Sequence, residues 1–273
     1  MKTILITGAS SGIGKATAQF FHQKGWGVAA TMRTPEKEQD LKPDDRLLLL
    51  KLDVQDKETI TDAVQETINH FGQIDVVLNN AGYGAAGPLE AGTEEQIRRQ
   101  FEVNLFGVID VTRAVLPHFR EKKSGRFINV TSIGGLITLP LFSLYHATKW
   151  AVEGFTEALQ YELNPLGIEL KIVEPGGVNT DFAGRSLDMF DTSQVPEYVP
   201  TVQRMLQNFS EDSGRSFGYS SSEDIAEVIF QAATDESGQL RFIAGEDAKQ
   251  FWQARQNMPY EDFRAMVKEQ MLG

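Results

Sequence analysis

The chain has 273 residues, a formal net charge of -12 and no cysteine. That length suits one large α/β unit with a substantial core, and the acidic balance argues against a nucleic-acid surface, which needs clustered Lys and Arg. The absence of cysteine excludes disulfides and Cys-ligated metals, no apolar run approaches a membrane span, and the first six residues are too few for a secretion signal, so a soluble, cytoplasmic protein is expected.

In chain order, short β-branched or leucine-rich runs alternate with longer helical patterns. Strands are predicted over 4–7, 28–31, 47–52, 75–79, 126–131, 168–173 and 240–244. Helices are predicted over 13–24, 57–71, from Thr93 onward with Gln96 at a capping-box spacing, through Tyr145 to about 163, and over 224–233. Residues 180–222 read as a long irregular segment. The acidic pairs Glu94-Glu95, Glu223-Asp224 and Glu261-Asp262 each open a helical pattern, where negative charge complements the helix dipole, so no metal site is expected there. Strands separated by helices imply right-handed crossovers and a doubly wound, mostly parallel sheet of seven strands with helices on both faces.

Two stretches carry chemistry. Thr7-Gly8-Ala9-Ser10-Ser11-Gly12-Ile13-Gly14 is a glycine turn between the first strand and the first helix. There the backbone can approach a pyrophosphate, whose charge the helix N-terminal amides favour. The second stretch runs from Ser132, at a strand end, to Lys149. Tyr145 and Lys149, four residues apart, share one helix face, which makes the phenol a candidate proton donor beside an ammonium. Bringing a phenol from about 10 to about 7 takes roughly 4 kcal/mol. Ser132 completes the set by hydrogen-bonding a substrate oxygen. His146 points about 100° away from the tyrosine and reads as packing or a dimer contact. His70 and His118 read as helix-end residues, and Trp26 and Trp150 as core or interface aromatics, with Trp150 packing beneath the lysine.

Taken together, Thr7 to Gly14, Asp53-Val54, Asn79-Asn80-Ala81-Gly82, Asn104, Ser132, Tyr145 with Lys149, and Pro175-Gly176 followed by Thr180 resemble the classical short-chain dehydrogenases/reductases, over nearly the whole chain. The resemblance implies a single-domain Rossmann-type fold over 1–245, with 180–222 covering the substrate, and a helical extension of the same domain over 246–273. It implies that Gly8, Ser10, Gly12, Ile13 and Gly14 line the cofactor diphosphate and ribose, that Asp53 and Val54 flank the adenine, and that Asn80, with Ala81 and Gly82, lies near the adenosine ribose. Pro175, Gly176, Val178 and Thr180 would hold the nicotinamide, and Tyr145 and Lys149 would also contact the cofactor, the lysine binding the nicotinamide ribose hydroxyls. Asn104 resembles a fourth catalytic residue, joining Ser132, Tyr145 and Lys149 in a metal-free exchange between a carbonyl and an alcohol.

Met32 falls where relatives that prefer NAD place an acid, and Arg33 follows it, so NADP is the expected cofactor and NAD the less favoured one. Gly134, Leu136, Leu139, Leu141 and Phe142 are expected to floor a site for an apolar ketone or alcohol. Phe182, Met189, Phe190, Tyr198, Met205 and Phe209 are expected in its cover. A 3-oxoacyl thioester reductase, or a dinucleotide-sensing regulator without turnover, are the alternatives. Relatives commonly dimerise through the Thr93 and Tyr145 helices, so a homodimer or homotetramer is expected, with Phe101, Phe106, Trp150 and Phe155 at its centre. The tail, with Phe251, Trp252, Phe263, Met266 and Val267, reads equally as lid, core or interface.

Overall fold

The computed structural model describes residues 1–178, 187–209 and 219–273. Strand β1 (Thr3–Ile6) leads through the glycine turn to helix α1 (Gly12–Gln23). Then come β2 (Gly27–Met32), β3 (Leu47–Lys51), α2 (Lys57–Phe71), β4 (Val76–Asn79) and a short β5 (Gly84–Ala86). Helices α3 (Glu94–Phe101) and α4 (Gly107–Lys122) precede β6 (Gly125–Val130), α5 (Ser143–Leu163) and β7 (Ile168–Pro175). The remainder comprises β8 (Leu187–Met189), α6 (Val199–Phe209), α7 (Ser222–Thr234), β9 (Arg241–Ala244), α8 (Glu246–Asn257) and α9 (Tyr260–Leu272).

Seven strands form one sheet in the order β3-β2-β1-β4-β6-β7-β9. Every pairing in it is parallel, rather than mostly so as expected, with Ile4 opposite both Val28 and Val76. Because side chains alternate along a strand, Ile4, Ile6, Val28 and Ala30 pack with Phe21, Ile225 and Ile229 of α1 and α7. Leu5, Ala29 and Val77 pack on the other face with Ile60, Val64, Val115 and Phe119 of α2 and α4. Each large apolar side chain so buried contributes about 1.5–3 kcal/mol. Trp26 belongs to the first of these cores, edge-on to Phe21 at 5.0 Å.

The helix opening at Thr93 is not continuous. Thr93 and Gln96 close the predicted capping box, but after Phe101 one π-turn, Glu102–Phe106, intervenes before α4. Single π-turns of this kind accumulate at functional positions, and this one carries Asn104. A second departure lies in the stretch read as irregular. There β8 pairs in parallel with β5, Gly84 opposite Leu187, and α6 follows, its start marked by Pro196 and Pro200. Three-residue strands are too short to show a period, which is why neither β5 nor β8 stands out in the sequence.

The tail folds back. Ala248, Phe263, Val267 and Met271 of α8 and α9 are buried against Ile133 and Ile137, with Leu136 beside them. The extension therefore packs on the loop that follows Ser132. Among the described residues, no helix is long and apolar enough to cross a membrane.

Candidate active site

A continuous cleft of about 1590 Å³ runs along the carboxyl ends of the parallel strands, the place where open α/β sheets bind ligands. Gly8, Ser10, Gly12, Ile13, Gly14, Arg33, Asp53, Val54, Asn80, Ala81, Gly82, Ser132, Tyr145, Lys149, Pro175, Gly176 and Val178 all line it. Asn104 stands just behind this wall, and Thr180 lies outside the described residues.

At the glycine turn the local backbone demands glycine. Gly8 adopts φ +71°, and a Cβ on Gly14 would come within 2.3 Å of the Gly8 carbonyl oxygen and 2.6 Å of Asn80 Nδ2. Asn80 holds the turn by donating from Nδ2 to the Thr7 and Gly8 carbonyls at 2.9 and 3.1 Å. Ser11, at the N-cap of α1, makes no side-chain cap bond, so the first amides of the helix remain available to an anion. A dinucleotide diphosphate fits this cradle.

At the end of β2 Met32 is buried, and Arg33 lies exposed on the rim of the cleft. Two cations not singled out in the sequence share that rim. Lys37 lines it, and Lys15 pairs with Glu38 at 3.0 Å and Asp40 at 2.6 Å. Four residues separate Ser11 from Lys15, one helical turn, a spacing that placed the lysine within reach.

Ser132, at the end of β6, accepts from the Gly134 amide at 3.0 Å and donates to the Pro175 carbonyl at 3.4 Å. Burial pushes the Tyr145 phenol above its ordinary range, while hydrogen bonding with Ser132 pulls it down. Lys149 donates to the Val130 carbonyl at 3.0 Å, and its ammonium lies 5.6 Å from the centre of the Tyr145 ring. Burial brings the lysine down to about 8, opposed by the charge of Glu153. For both groups burial is the largest cause of the shift. Asn104 donates to the Tyr83 carbonyl at 2.8 Å and accepts from the Tyr83 amide at 3.0 Å. A Cβ on Gly82 would stand 3.3 Å from Asn104 Oδ1 and 3.8 Å from Lys149 Nζ, so this bare backbone fills the gap between the two side chains.

The histidines take roles their positions alone did not reveal. His146 is buried and ties the loop after Ser132: Nε2 accepts from the Leu139 amide at 2.7 Å, and Nδ1 meets the Gly134 carbonyl at 2.7 Å. It packs within the chain. His118 accepts from the Ile74 amide at 3.0 Å, and burial lowers its pKa, so it is a neutral acceptor and not a charge on the helix dipole. His70 contacts the Asp45 carbonyl at 3.2 Å. Trp150 is 48% exposed, its Nε1 donating to the Ile137 carbonyl at 3.4 Å; it is not part of the core.

Beyond the tyrosine the wall turns apolar. Gly134, Leu139 and Phe142 of the expected floor line it, joined by Ile137, whereas Leu136 turns to the tail and Leu141 offers its carbonyl to the Gly87 amide. Met205, Leu206 and Leu187 line it from α6 and β8, and Phe251 and Met271 from the tail. Phe190 is buried against Gly87 and Gly92, and Tyr198 donates to Glu90 at 3.1 Å. Phe182 and the Phe209 side chain lie outside the described residues. Asp247 escaped the sequence reading: 8% exposed, it accepts from the Gly177 amide at 2.6 Å beside the expected nicotinamide loop.

A model of the short chain dehydrogenase family matches residues 2–190. An uncharacterised oxidoreductase of Schizosaccharomyces pombe is 38% identical over 245 residues, 88% of this chain and 99% of that protein. A 3-ketodihydrosphingosine reductase of Bacteroides thetaiotaomicron is 40% identical over 204 residues, 75% of this chain and 74% of its own. Among solved structures, a short-chain dehydrogenase from Streptomyces avermitilis superposes with a TM-score of 0.83 at 35% identity, covering 98% of this chain and 95% of that one. ElxO with NADP bound gives 0.72 at 27% identity, covering 89% and 97%. A 3-ketoacyl-(acyl-carrier-protein) reductase from Brucella melitensis complexed with NADH gives 0.73 at 26%, covering 89% and 96%.

Proposed function

The chain belongs to the short-chain dehydrogenase family of NAD(P)-dependent oxidoreductases, and from that premise we propose that it interconverts a carbonyl and an alcohol on a mainly apolar small molecule, with NADP as cofactor. One observation carries the reading. Ser132, Tyr145 and Lys149 meet in the same cleft as the glycine cradle, where the lining changes from polar to apolar.

The bound cofactor supplies or takes up the hydride. In the reducing direction the Ser132 hydroxyl steadies the developing oxyanion, and the Tyr145 hydroxyl gives up its proton to that oxygen. The buried ammonium of Lys149 stabilises the phenolate left behind, because a positive charge gains most where water is excluded. Asn104 holds the Tyr83 backbone. Alcohol oxidation retraces the path, with the phenolate as base.

Gly8, Ser10, Gly12, Ile13 and Gly14 would hold the diphosphate, Asp53, Val54, Asn80, Ala81 and Gly82 the adenosine, and Pro175, Gly176, Val178 and Thr180 the nicotinamide. Arg33 would pair with a 2′-phosphate. The relative named for 3-ketodihydrosphingosine reduction supports a long apolar ketone as the substrate type, since the walls past Tyr145 offer few partners to a buried polar group, which costs about 1–3 kcal/mol unpaired. A homodimer or homotetramer is proposed as well, on the exposure of Phe106 at 47% and Trp150 at 48%. Light scattering at micromolar concentration tests it, and a monomer alone would refute it.

The reaction is tested by screening ketones, aldehydes and secondary alcohols with NADPH, NADH and their oxidised forms, following nicotinamide absorbance. Turnover of apolar carbonyls or alcohols is expected. No turnover across the series despite cofactor binding would instead favour a regulator.

A further inference from the structure

Beneath the candidate site, three carboxylates converge on one guanidinium. Arg241, on β9, donates to Glu174 and Glu157 at 2.5 Å each and also pairs with Glu153. Glu157 is half exposed and solvated, but Glu174 is 0% exposed and Glu153 is buried. Glu174 Oε2 is buried without a hydrogen-bond partner. Two desolvated carboxylates contacting one guanidinium, with the Lys149 ammonium acting only from a helical turn away, leave one negative charge without a contacting cation, which burial strongly disfavours. One proton on the pair removes the excess.

Placement gives the cluster its consequence. Glu153 follows Lys149 by one turn of α5, and its carboxyl packs so closely on Gly135 that a Cβ there would come within 2.8 Å of Oε1. Glu174 immediately precedes Pro175 at the end of β7. Through Arg241 the cluster therefore joins the helix of Tyr145 and Lys149, the loop of Ser132 and the strand end expected to hold the nicotinamide. We propose that Glu153 and Glu174 hold one proton between them on Arg241, and that this pair positions Lys149 and sets its charge. The role given to Lys149 rests on the proposed function; the shared proton does not.

Burial lifts Glu174 to about 7, the charge of Glu153 adding to the rise and Arg241 opposing it, with Glu157 a smaller repulsion. Burial raises Glu153 as well, against the Thr131 hydroxyl and Arg241. The charged group acting on Lys149 is Glu153. Among the described residues these are the ionisable groups that shape the cluster: Lys149, Glu153 and Glu157 from α5, Glu174 from β7 and Arg241 from β9. Loss of the shared proton above neutral pH adds a negative charge near the ammonium and strengthens its hold on its own proton.

Infrared difference spectroscopy of the ligand-free wild type tests the shared proton without any variant. A buried carboxylic-acid band present at about pH 6 and lost above about pH 8 is expected, and its absence at every pH would overturn the proposal. Glu174→Gln should remove that band, and a band that persists in it would overturn the assignment to this pair. The link to Lys149 is read by fluorescence titration with NADPH as the probe. Glu153→Gln should move the alkaline inflection in affinity down by about one pH unit, the effect of one charge a helical turn away, and Glu153→Asp should restore most of it. An affinity lowered equally at every pH would mean a merely structural residue and overturn the link. A wild type that fails to bind NADPH at any pH would sink the proposed function and the role of Lys149 together, with the infrared result still deciding the proton.

Discussion

The Leu139 amide donates to Nε2 of His146 at 2.7 Å, so that nitrogen carries no proton and the neutral imidazole closes the loop between Ser132 and Tyr145. The opposite nitrogen, Nδ1, then donates to the Gly134 carbonyl at 2.7 Å, and burial lowers the pKa of the ring. Protonating Nε2 would set two N–H groups against each other. In the unfolded chain the ring takes up a proton at about 6.5, whereas in the fold it resists, so the unfolded state binds more protons as pH falls. Stability is therefore full above about 6.5 and declines as pH drops below it. His146→Leu should remove this part of the pH dependence and lower stability by about 1–3 kcal/mol at neutral pH, because two buried backbone groups lose their partner. Thermal melts across pH check this; wild-type and variant curves of the same shape would count against it.

The cofactor preference turns on Arg33. Replacing it by alanine should weaken NADPH by about tenfold or more while leaving NADH nearly unchanged, since only the 2′-phosphate offers it a charge-assisted bond. Equal weakening of both, or NADPH bound no tighter than NADH by the parent, would refute the assignment. Lys15 is already paired with Glu38 and Asp40, so Lys15→Ala should have the smaller effect.

Much of this was legible because one residue type serves one local need. Gly8 and Gly14 stand where a Cβ would collide, and the central strands are largely buried runs that alternate with amphipathic helices. What stayed hidden depends on partners far along the chain. The π-turn at Asn104 exists to bring that amide onto the Tyr83 backbone, 21 residues away, and no helical pattern encodes it. Asp247 reaches Gly177 across 70 residues. The position of Arg241 among three carboxylates likewise follows from the pairing of β9 with β7. Lys149 and Tyr145 were identified by spacing, but the burial that shifts both groups required the packed environment.

The tail combines two of the roles its sequence left open. Phe263, Val267 and Met271 are buried against the loop after Ser132, and Phe251 and Met271 also line the cleft. Deleting 248–273 should therefore yield aggregated or unfolded protein. Phe251→Ala should fold and bind NADPH normally but raise KM for apolar substrates, because it removes wall contacts that act only on the substrate end. A soluble, cofactor-binding truncation with unchanged kinetics across a substrate series would contradict both roles.

The most direct test of the account is Tyr145→Phe, assayed on any carbonyl or alcohol that the parent accepts, with NADPH affinity measured in parallel. The variant keeps the ring in its partly buried place and removes only the hydroxyl. Turnover should fall by a factor of about 10² to 10⁴, the usual worth of a positioned general acid, while NADPH affinity changes little. Near-normal turnover in this variant would contradict the claim that the Tyr145 hydroxyl delivers the proton.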